Sequence, residues 1–313
     1  MNLDLEIDPL PSPSKVFHPA PLTSSQWRDI RIERTRRAKQ QVEGFESAEI
    51  FKASIEAKLN AAGCVEKWFQ NMKRCGRESF YTICLNCQTT KECFYNCSNR
   101  LCPRCNFRIA GRRRDLLEKM TNGVCGCKHV VVTQRNFTTP LRPAIIECRK
   151  NLNRLRKQKL FGKVSGGCAS MEITNEGKGW HVHWHMLIQS SSFFPAKDLA
   201  VVWGKLVGQS FAIVKVKSVD DASYLGELCK YAAKPAEVAK WPAEQIYEFC
   251  EAVQKTRMFT VFGRFAQIRR WAQMEVKRDA LERHAGACEC GCSDRVFGPS
   301  ESSCIRQLSE GRF

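Results

Sequence analysis

The 313-residue chain has no apolar run approaching the length of a membrane span, so no bilayer-crossing helix is expected. Its start, Met1-Asn2-Leu3-Asp4, is acidic where a secretory signal is basic. No internal repeat is visible. Acidic residues are in short supply: 32 Asp and Glu stand against 50 Lys and Arg, an excess of 50 − 32 = 18 positive charges. That balance suits a polyanionic partner. Nucleic acid ranks ahead of membrane, because no basic amphipathic lipid-facing helix stands out. Histidine is scarce as well, with six in the chain. Hydrophobic residues make up 43%, enough for one or two globular domains with appendages.

Half of the scarce histidines fall within five residues, inside Trp180–Ile188, which reads W-H-V-H-W-H-M-L-I. His181, His183 and His185 alternate with Val182, Trp184 and Met186. On a strand the three imidazoles share one face and the apolar residues the other. On a helix His183 would point about 160° away from its neighbours, and all three could not meet one ion. The flanking β-branched and aromatic residues, and a turn at Gly177-Lys178-Gly179, favour the strand. A lone strand histidine is usually a core or surface residue; three in alternation make metal binding the better reading.

Upstream, Ala169–Thr174 reads as a second strand containing Glu172. A hairpin loop over Glu176–Gly179 would pair Asn175 with Trp180 and set Glu172 opposite His183. One carboxylate beside imidazoles, with open positions for phosphate oxygens, suits Mg²⁺ or Mn²⁺ acting as a Lewis acid. A register slip of one residue would undo the pairing.

Cysteine is abundant, with 18 in the chain and no export signal. In a reducing cytosol these are metal ligands or free thiols rather than disulfides. Seven fall between Cys75 and Cys105. Cys84-x-x-Cys87 and Cys102-x-x-Cys105 are two knuckles with the spacing of a tetrahedral structural zinc site, and Cys97 competes with either member of the first. A zinc ion held by four among Cys84, Cys87, Cys97, Cys102 and Cys105 is the expectation. Arg100, Arg104, Arg108, Arg112, Arg113 and Arg114 overlap the second knuckle and read as a phosphate-gripping element. Near the C-terminal end, Cys288-Glu289-Cys290-Gly291-Cys292, with His284 and Cys304, could close a second metal site or form a redox-exposed tail.

The remaining pattern is α+β. An extended Pro- and Ser-containing lead covers 1–26, and a basic helix is expected over Trp27–Val42 and another helix over Phe45–Cys64. Strands are expected at Lys128–Thr133, Phe211–Val216 and Met258–Phe262, and helices at Pro143–Lys159, Ala196–Leu206, Asp220–Lys234 and Pro242–Lys255. Pro235 should stop the Asp220–Lys234 helix. The division expected is 1–63 for the lead and basic helices, 64–127 for a Cys-rich zinc-binding module, 128–275 for the catalytic domain and 276–313 for a Cys-rich tail. One antiparallel sheet covered by helices fits this succession.

In the Asp220–Lys234 helix, Glu227 and Tyr231 stand at i and i+4 on one face, with Lys234 three residues later. A phenol is a weak nucleophile at neutral pH, but a metal-polarised phosphodiester and a nearby lysine make its attack reasonable. With these residues the sequence resembles the rolling-circle plasmid replication initiators, a family of HUH (His-hydrophobic-His) endonucleases. The likeness runs in order through Cys97–Cys105, Val131–Asn136, Met171–Thr174, His183–Leu187, Glu227 to Tyr231 with Lys234, and more weakly Arg257–Phe259 with Phe262-Gly263. His181, the C-terminal cysteines and the N-terminal lead depart from the family pattern.

The resemblance implies a ferredoxin-like antiparallel sheet presenting the histidine strand, with the tyrosine on a neighbouring helix. It implies that Tyr231 attacks a phosphodiester at a replication origin, at a single-stranded or hairpin nick site, leaving a 5′-phosphotyrosine link and a free 3′-OH. His183, His185 and Glu172 would hold the divalent cation, with His181 a further candidate, and Glu227 would activate water. A prokaryotic cytoplasm, host helicase and polymerase as partners, and an open question of oligomeric state follow from the same likeness. A transposase or relaxase would share this chemistry. A non-catalytic zinc-dependent DNA-binding regulator would explain the charge and cysteines but leave the histidine–tyrosine set as coincidence.

Overall fold

Alternation decides the central strand. In the computed structural model Val182, Trp184, Met186 and Ile188 are buried on one side of His181–Gln189, and the histidines take the other. Described are residues 46–121, 126–190, 192–210, 212–219, 229, 234–285 and 295–297. In chain order the elements are α1 (46–61), α2 (Lys67–Arg74), β1 (Ser79–Cys84), β2 (Thr90–Phe94), α3 (Pro103–Thr121), β3 (Cys127–Val132), α4 (Leu141–Arg156), β4 (Gly166–Thr174), β5 (His181–Gln189) and α5 (Ala196–Val207). There follow β6 (Val214–Ser218), α6 (Pro235–Val238), α7 (Ala243–Val253), β7 (Phe259–Gly263), α8 (Arg264–Ala285) and β8 (Arg295–Phe297). The described residues thus form a mixed α+β fold with antiparallel sheets. The expected Trp27–Val42 helix lies outside them.

Five strands form the main sheet in the order β6-β3-β5-β4-β7, every pair antiparallel. From β3 to β6 the chain runs strand, helix, strand, strand, helix, strand. The loop between β4 and β5 gives the register expected from a four-residue turn: Thr174 pairs with His181 and Glu172 with His183.

The sheet's two faces differ in what covers them. On one, Val130, Val132, Ala169, Met171, Ile173, Val182, Trp184, Met186 and Ile188 share a core with Ile145, Leu152, Trp203 and Phe249 from α4, α5 and α7. On the other, Cys127, Cys168 and Leu187 pack with Leu117 and Met120 of α3 and Phe265 and Ala272 of α8. That second cluster sits at one end of the face. Glu172, His183 and His185 occupy the other end of β4 and β5.

Polar clasps hold the hairpin loop. Glu248 Oε1 accepts the Leu141 N–H at 2.6 Å, supplying the cap that Pro140 cannot give α4. Glu248 Oε2 accepts the Trp180 indole N–H at 3.1 Å, and Trp241 donates to Asn175 O at 3.0 Å. The Trp180 and Trp241 rings meet edge to face at 5.2 Å. These contacts fix where β5 begins.

Two expectations change here. Lys234 is extended rather than the last residue of a helix, and Pro235 opens α6 at its first turn instead of only stopping the preceding segment. Proline's fixed φ and missing N–H suit that position. The rest of the expected Asp220–Lys234 helix, apart from the buried, helical Cys229, lies outside the described residues.

Candidate active site and metal centres

β4 and β5 bring three ligand atoms together. Glu172 Oε2 lies 2.8 Å from His185 Nε2 and 3.1 Å from His183 Nε2, and the two imidazole nitrogens are 3.2 Å apart. Ligand atoms bound to one ion stand about 3 Å apart, so the three groups could hold a single metal ion. Burial opposes ionisation of Glu172, but hydrogen bonds from His183 and His185 outweigh it and hold the carboxyl well below the usual carboxylate range. The other oxygen, Oε1, is buried without a hydrogen bond among the described residues and faces Lys234 Nζ at 3.5 Å. Lys234 is held above the usual lysine range chiefly by Glu172.

His181 is not part of this group. Its Nδ1 lies 2.9 Å from Asn136 Oδ1, and Asn136 donates to Lys178 O, so the ring belongs to the hairpin's mouth. Burial and then the neighbouring His183 lower its pKa. His129, which no sequence motif marks, stands on β3 with its Nε2 3.3 Å from His185 Nδ1. Tyr231 and Glu227 lie outside the described residues.

The cysteines also regroup. Cys75, Cys97, Cys102 and Cys105 form one four-sulfur cluster. Their sulfurs are separated by 3.4 Å for Cys75–Cys105, 3.7 Å for Cys97–Cys105 and 3.8 Å for Cys75–Cys102. Bonds of about 2.3 Å to a central zinc would set sulfurs about 3.8 Å apart, so the cluster suits a tetrahedral site. Cys75 follows α2, Cys97 follows β2, and Cys102 and Cys105 straddle the start of α3, whose N-terminal amides favour thiolate. Hydrogen bonds from Cys102, Cys105 and Cys97 pull the Cys75 thiol far down, while those with Cys102, Cys105 and Cys75 push Cys97 up. Four such sulfurs ionise together only around a cation.

This corrects the expected ligand set. Cys84 and Cys87 are outside the cluster: Cys84 is buried at the end of β1, and Cys87 Sγ lies 3.1 Å from Thr89 Oγ1 in the hairpin turn. Cys75 takes the place of that knuckle, because the end of α2 packs against the start of α3. Cys288, Cys290, Cys292 and Cys304 lie outside the described residues.

The arginines divide. Arg104 pairs with Glu49 at 2.8 Å, Arg100 donates to the carbonyls of Val253 and Thr256, and Arg114 pairs with Glu118 at 3.0 Å. Arg113 lies over the Phe259 ring at 5.4 Å. Arg108 and Arg112, one turn apart on α3, are exposed. Only part of the expected phosphate-gripping element therefore faces solvent. No helix of the described residues is long and apolar enough to cross a membrane.

A model of the Rep_1 family, described as "Replication protein", matches residues 90–289. "Protein rep" of Streptococcus pneumoniae serotype 2 (strain D39 / NCTC 7466) is 25% identical over 205 residues. That match covers 58% of this chain and 64% of the relative, so the chain spans less than two thirds of that protein's length. No solved structure matches. The family match takes in both the Glu172–His183–His185 group and three of the four clustered cysteines, and the chain belongs to the replication-protein family, in keeping with its resemblance to rolling-circle plasmid replication initiators.

Proposed function

We propose that this protein initiates rolling-circle replication by nicking one strand of origin DNA through Tyr231. The observation that carries the reading is the convergence of Glu172, His183 and His185 on the open end of one sheet face. A divalent cation held by these three would polarise the scissile phosphate. The strand order β6-β3-β5-β4, read through strand, helix, strand, strand, helix, strand, supports a ferredoxin-like arrangement for the catalytic domain.

Two described neighbours bracket Tyr231. Cys229 is buried with Cys168 and Leu187 on the histidine face of the sheet, and Lys234 reaches Glu172. In the proposed step the Tyr231 oxygen bonds to phosphorus and the bond to the 3′ oxygen breaks. The product is a 5′-phosphotyrosine link with a free 3′-OH, the phenolic proton passing through solvent to the leaving oxygen. Lys234 offsets the charge on Glu172 and, 45% exposed, is open to an approaching phosphate. Glu227 would orient the water that carries out the second cleavage and so ends the cycle. Exposed Arg108 and Arg112 supply backbone affinity.

Replication rather than transposition or conjugative transfer is favoured by the family match. A zinc-dependent regulator without catalysis leaves the Glu172–His183–His185 group without a use. The test is nicking of supercoiled plasmid carrying the DNA adjoining this gene, with Mg²⁺ or Mn²⁺. Wild type should yield open circles, and His183→Ala/His185→Ala should yield none while still binding the DNA. Nicking by the double variant would reject the reading.

A further inference from the structure

Of the arginines from Arg100 to Arg114, those that are not exposed have oxygen partners, with one exception. Arg100 donates to the Val253 and Thr256 carbonyls, Arg104 pairs with Glu49 and Arg114 with Glu118. Arg113 is half-buried, and among the described residues no hydrogen bond or carboxylate meets its guanidinium. It lies over the Phe259 ring instead, 5.4 Å from the centroid.

Its position makes the missing partner costly. Arg113 stands four residues before Leu117 and seven before Met120, on the stripe of α3 that packs against the histidine face of the sheet. An apolar side chain would continue that stripe, whereas a guanidinium gives up hydration there. Burial first, and then the charge of Arg100, lowers the pKa of Arg113, with Cys229 acting in the opposite sense. Buried charges are normally paired, so this cation is one anion short.

The sheet register shows what stands beside it. Phe259 on β7 pairs with Ser170 on β4, and Ser170 pairs with His185 on β5. Residues paired directly share a face, so Phe259, Ser170 and His185 form one row across three strands. The guanidinium over Phe259 is therefore on the face that carries Glu172, His183 and His185. The row is two strand spacings wide, about 10 Å, which sets Arg113 beside the metal-ligand group and not within it.

We propose that Arg113 binds a backbone phosphate of the cleaved strand next to the scissile one, so that the strand crosses the sheet from the histidines of β5 toward β7 and α3. The identity of the substrate rests on the nicking reading; the need for an anion at Arg113 does not. The DNA supplies the negative charge that the protein leaves out, and a planar guanidinium suits two phosphate oxygens at once. The unpaired charge weakens the DNA-free fold and is offset when the strand arrives.

The test compares full-length wild type with Arg113→Met and Arg113→Gln. Binding of a fluorescein-labelled dT oligonucleotide is followed by anisotropy over a salt series, without added Mg²⁺ or Mn²⁺. Each variant should lower the slope of log affinity against log salt by about 0.7, the share of one single-strand phosphate. DNA-free Arg113→Met should melt at a higher temperature than wild type, because methionine fills the stripe without an unpaired charge. A guanidinium with a structural role would give the reverse. In nicking of supercoiled plasmid, KM should rise in both variants, while the Mn²⁺ concentration for half-maximal rate stays that of wild type. Should methionine pack badly, Arg113→Gln gives the same slope reading. A wild-type slope in both variants, or a lower melting temperature in Arg113→Met, would overturn the proposal. Wild type that never nicks, with the slope still lowered in the variants, would reject the nicking reading and leave Arg113 as a phosphate-binding residue.

Discussion

His129 Nε2 lies 3.3 Å from His185 Nδ1, the two rings 13° from parallel. A His185 that ligates through Nε2 carries its proton on Nδ1, and His129 is in place to accept it. Partners of this kind orient a ligand and raise its basicity. His129→Leu should therefore weaken Mn²⁺ binding about 10- to 100-fold. Titration of DNA-free protein by calorimetry or electron paramagnetic resonance reads this directly. Nicking should recover at high Mn²⁺ concentration, and unchanged Mn²⁺ affinity would remove His129 from the site.

Cys75 is the residue that separates the observed sulfur cluster from the one expected of two C-x-x-C knuckles. Cys75→Ser should remove the zinc held at the start of α3 and lower the melting temperature, since binding energy in such sites is folding energy. Undiminished zinc content and stability in Cys75→Ser would mean that the cluster holds no ion.

The arginines of α3 should fall into two classes. Arg108→Ala/Arg112→Ala removes two exposed charges and should lower the slope of log affinity against log salt by about 0.9 for each phosphate no longer neutralised. Arg104→Ala instead breaks a pairing with Glu49 by a mostly buried guanidinium, and its effect should be on stability. Equal salt slopes for wild type and the Arg108/Arg112 variant would place the DNA elsewhere.

Glu248 binds two donors at once, the Leu141 amide and the Trp180 indole. Glu248→Ala leaves both unsatisfied and should cost about 2–6 kcal/mol in urea unfolding, at roughly 1–3 kcal/mol for each orphaned group. Glu248→Gln keeps one acceptor and should cost less. A loss below about 0.5 kcal/mol in Glu248→Ala would mean that water replaces the carboxylate.

Much of the main sheet was legible because period two is a local signal. The alternation over His181–Ile188 and the turn residues at Gly177–Gly179 set both the strand and its register with Glu172. His129 was not legible: its place beside His185 depends on the β3–β5 register, in which Val131 pairs with His185, and no turn joins those strands. The cysteines misled for a related reason. C-x-x-C is a strong local sign, whereas Cys75 is a lone cysteine at the end of α2, brought to Cys102 and Cys105 only by tertiary packing. The arginines from Arg100 to Arg114 marked a basic element, but neither the helix that carries most of them nor which side chains meet Glu49, Glu118 or the Thr256 carbonyl. Lys234 lies beside Glu172, a contact that no sequence signal gave, on a backbone that is extended before Pro235 rather than helical.

The central claim is that Tyr231 forms the covalent bond to DNA at the Glu172–His183–His185 group. Tyr224, seven residues earlier, is the competitor; on a continuous helix the two would share a face about 10.5 Å apart. The direct measurement is to trap the protein on origin DNA with Mn²⁺, digest with protease and locate the nucleotide-bearing peptide by mass spectrometry. A 5′-linked nucleotide is expected on Tyr231, lost in Tyr231→Phe and in His183→Ala/His185→Ala but kept in Tyr224→Phe. A nucleotide on Tyr224, or nicking by Tyr231→Phe with no protein attached to the DNA, would contradict the claim.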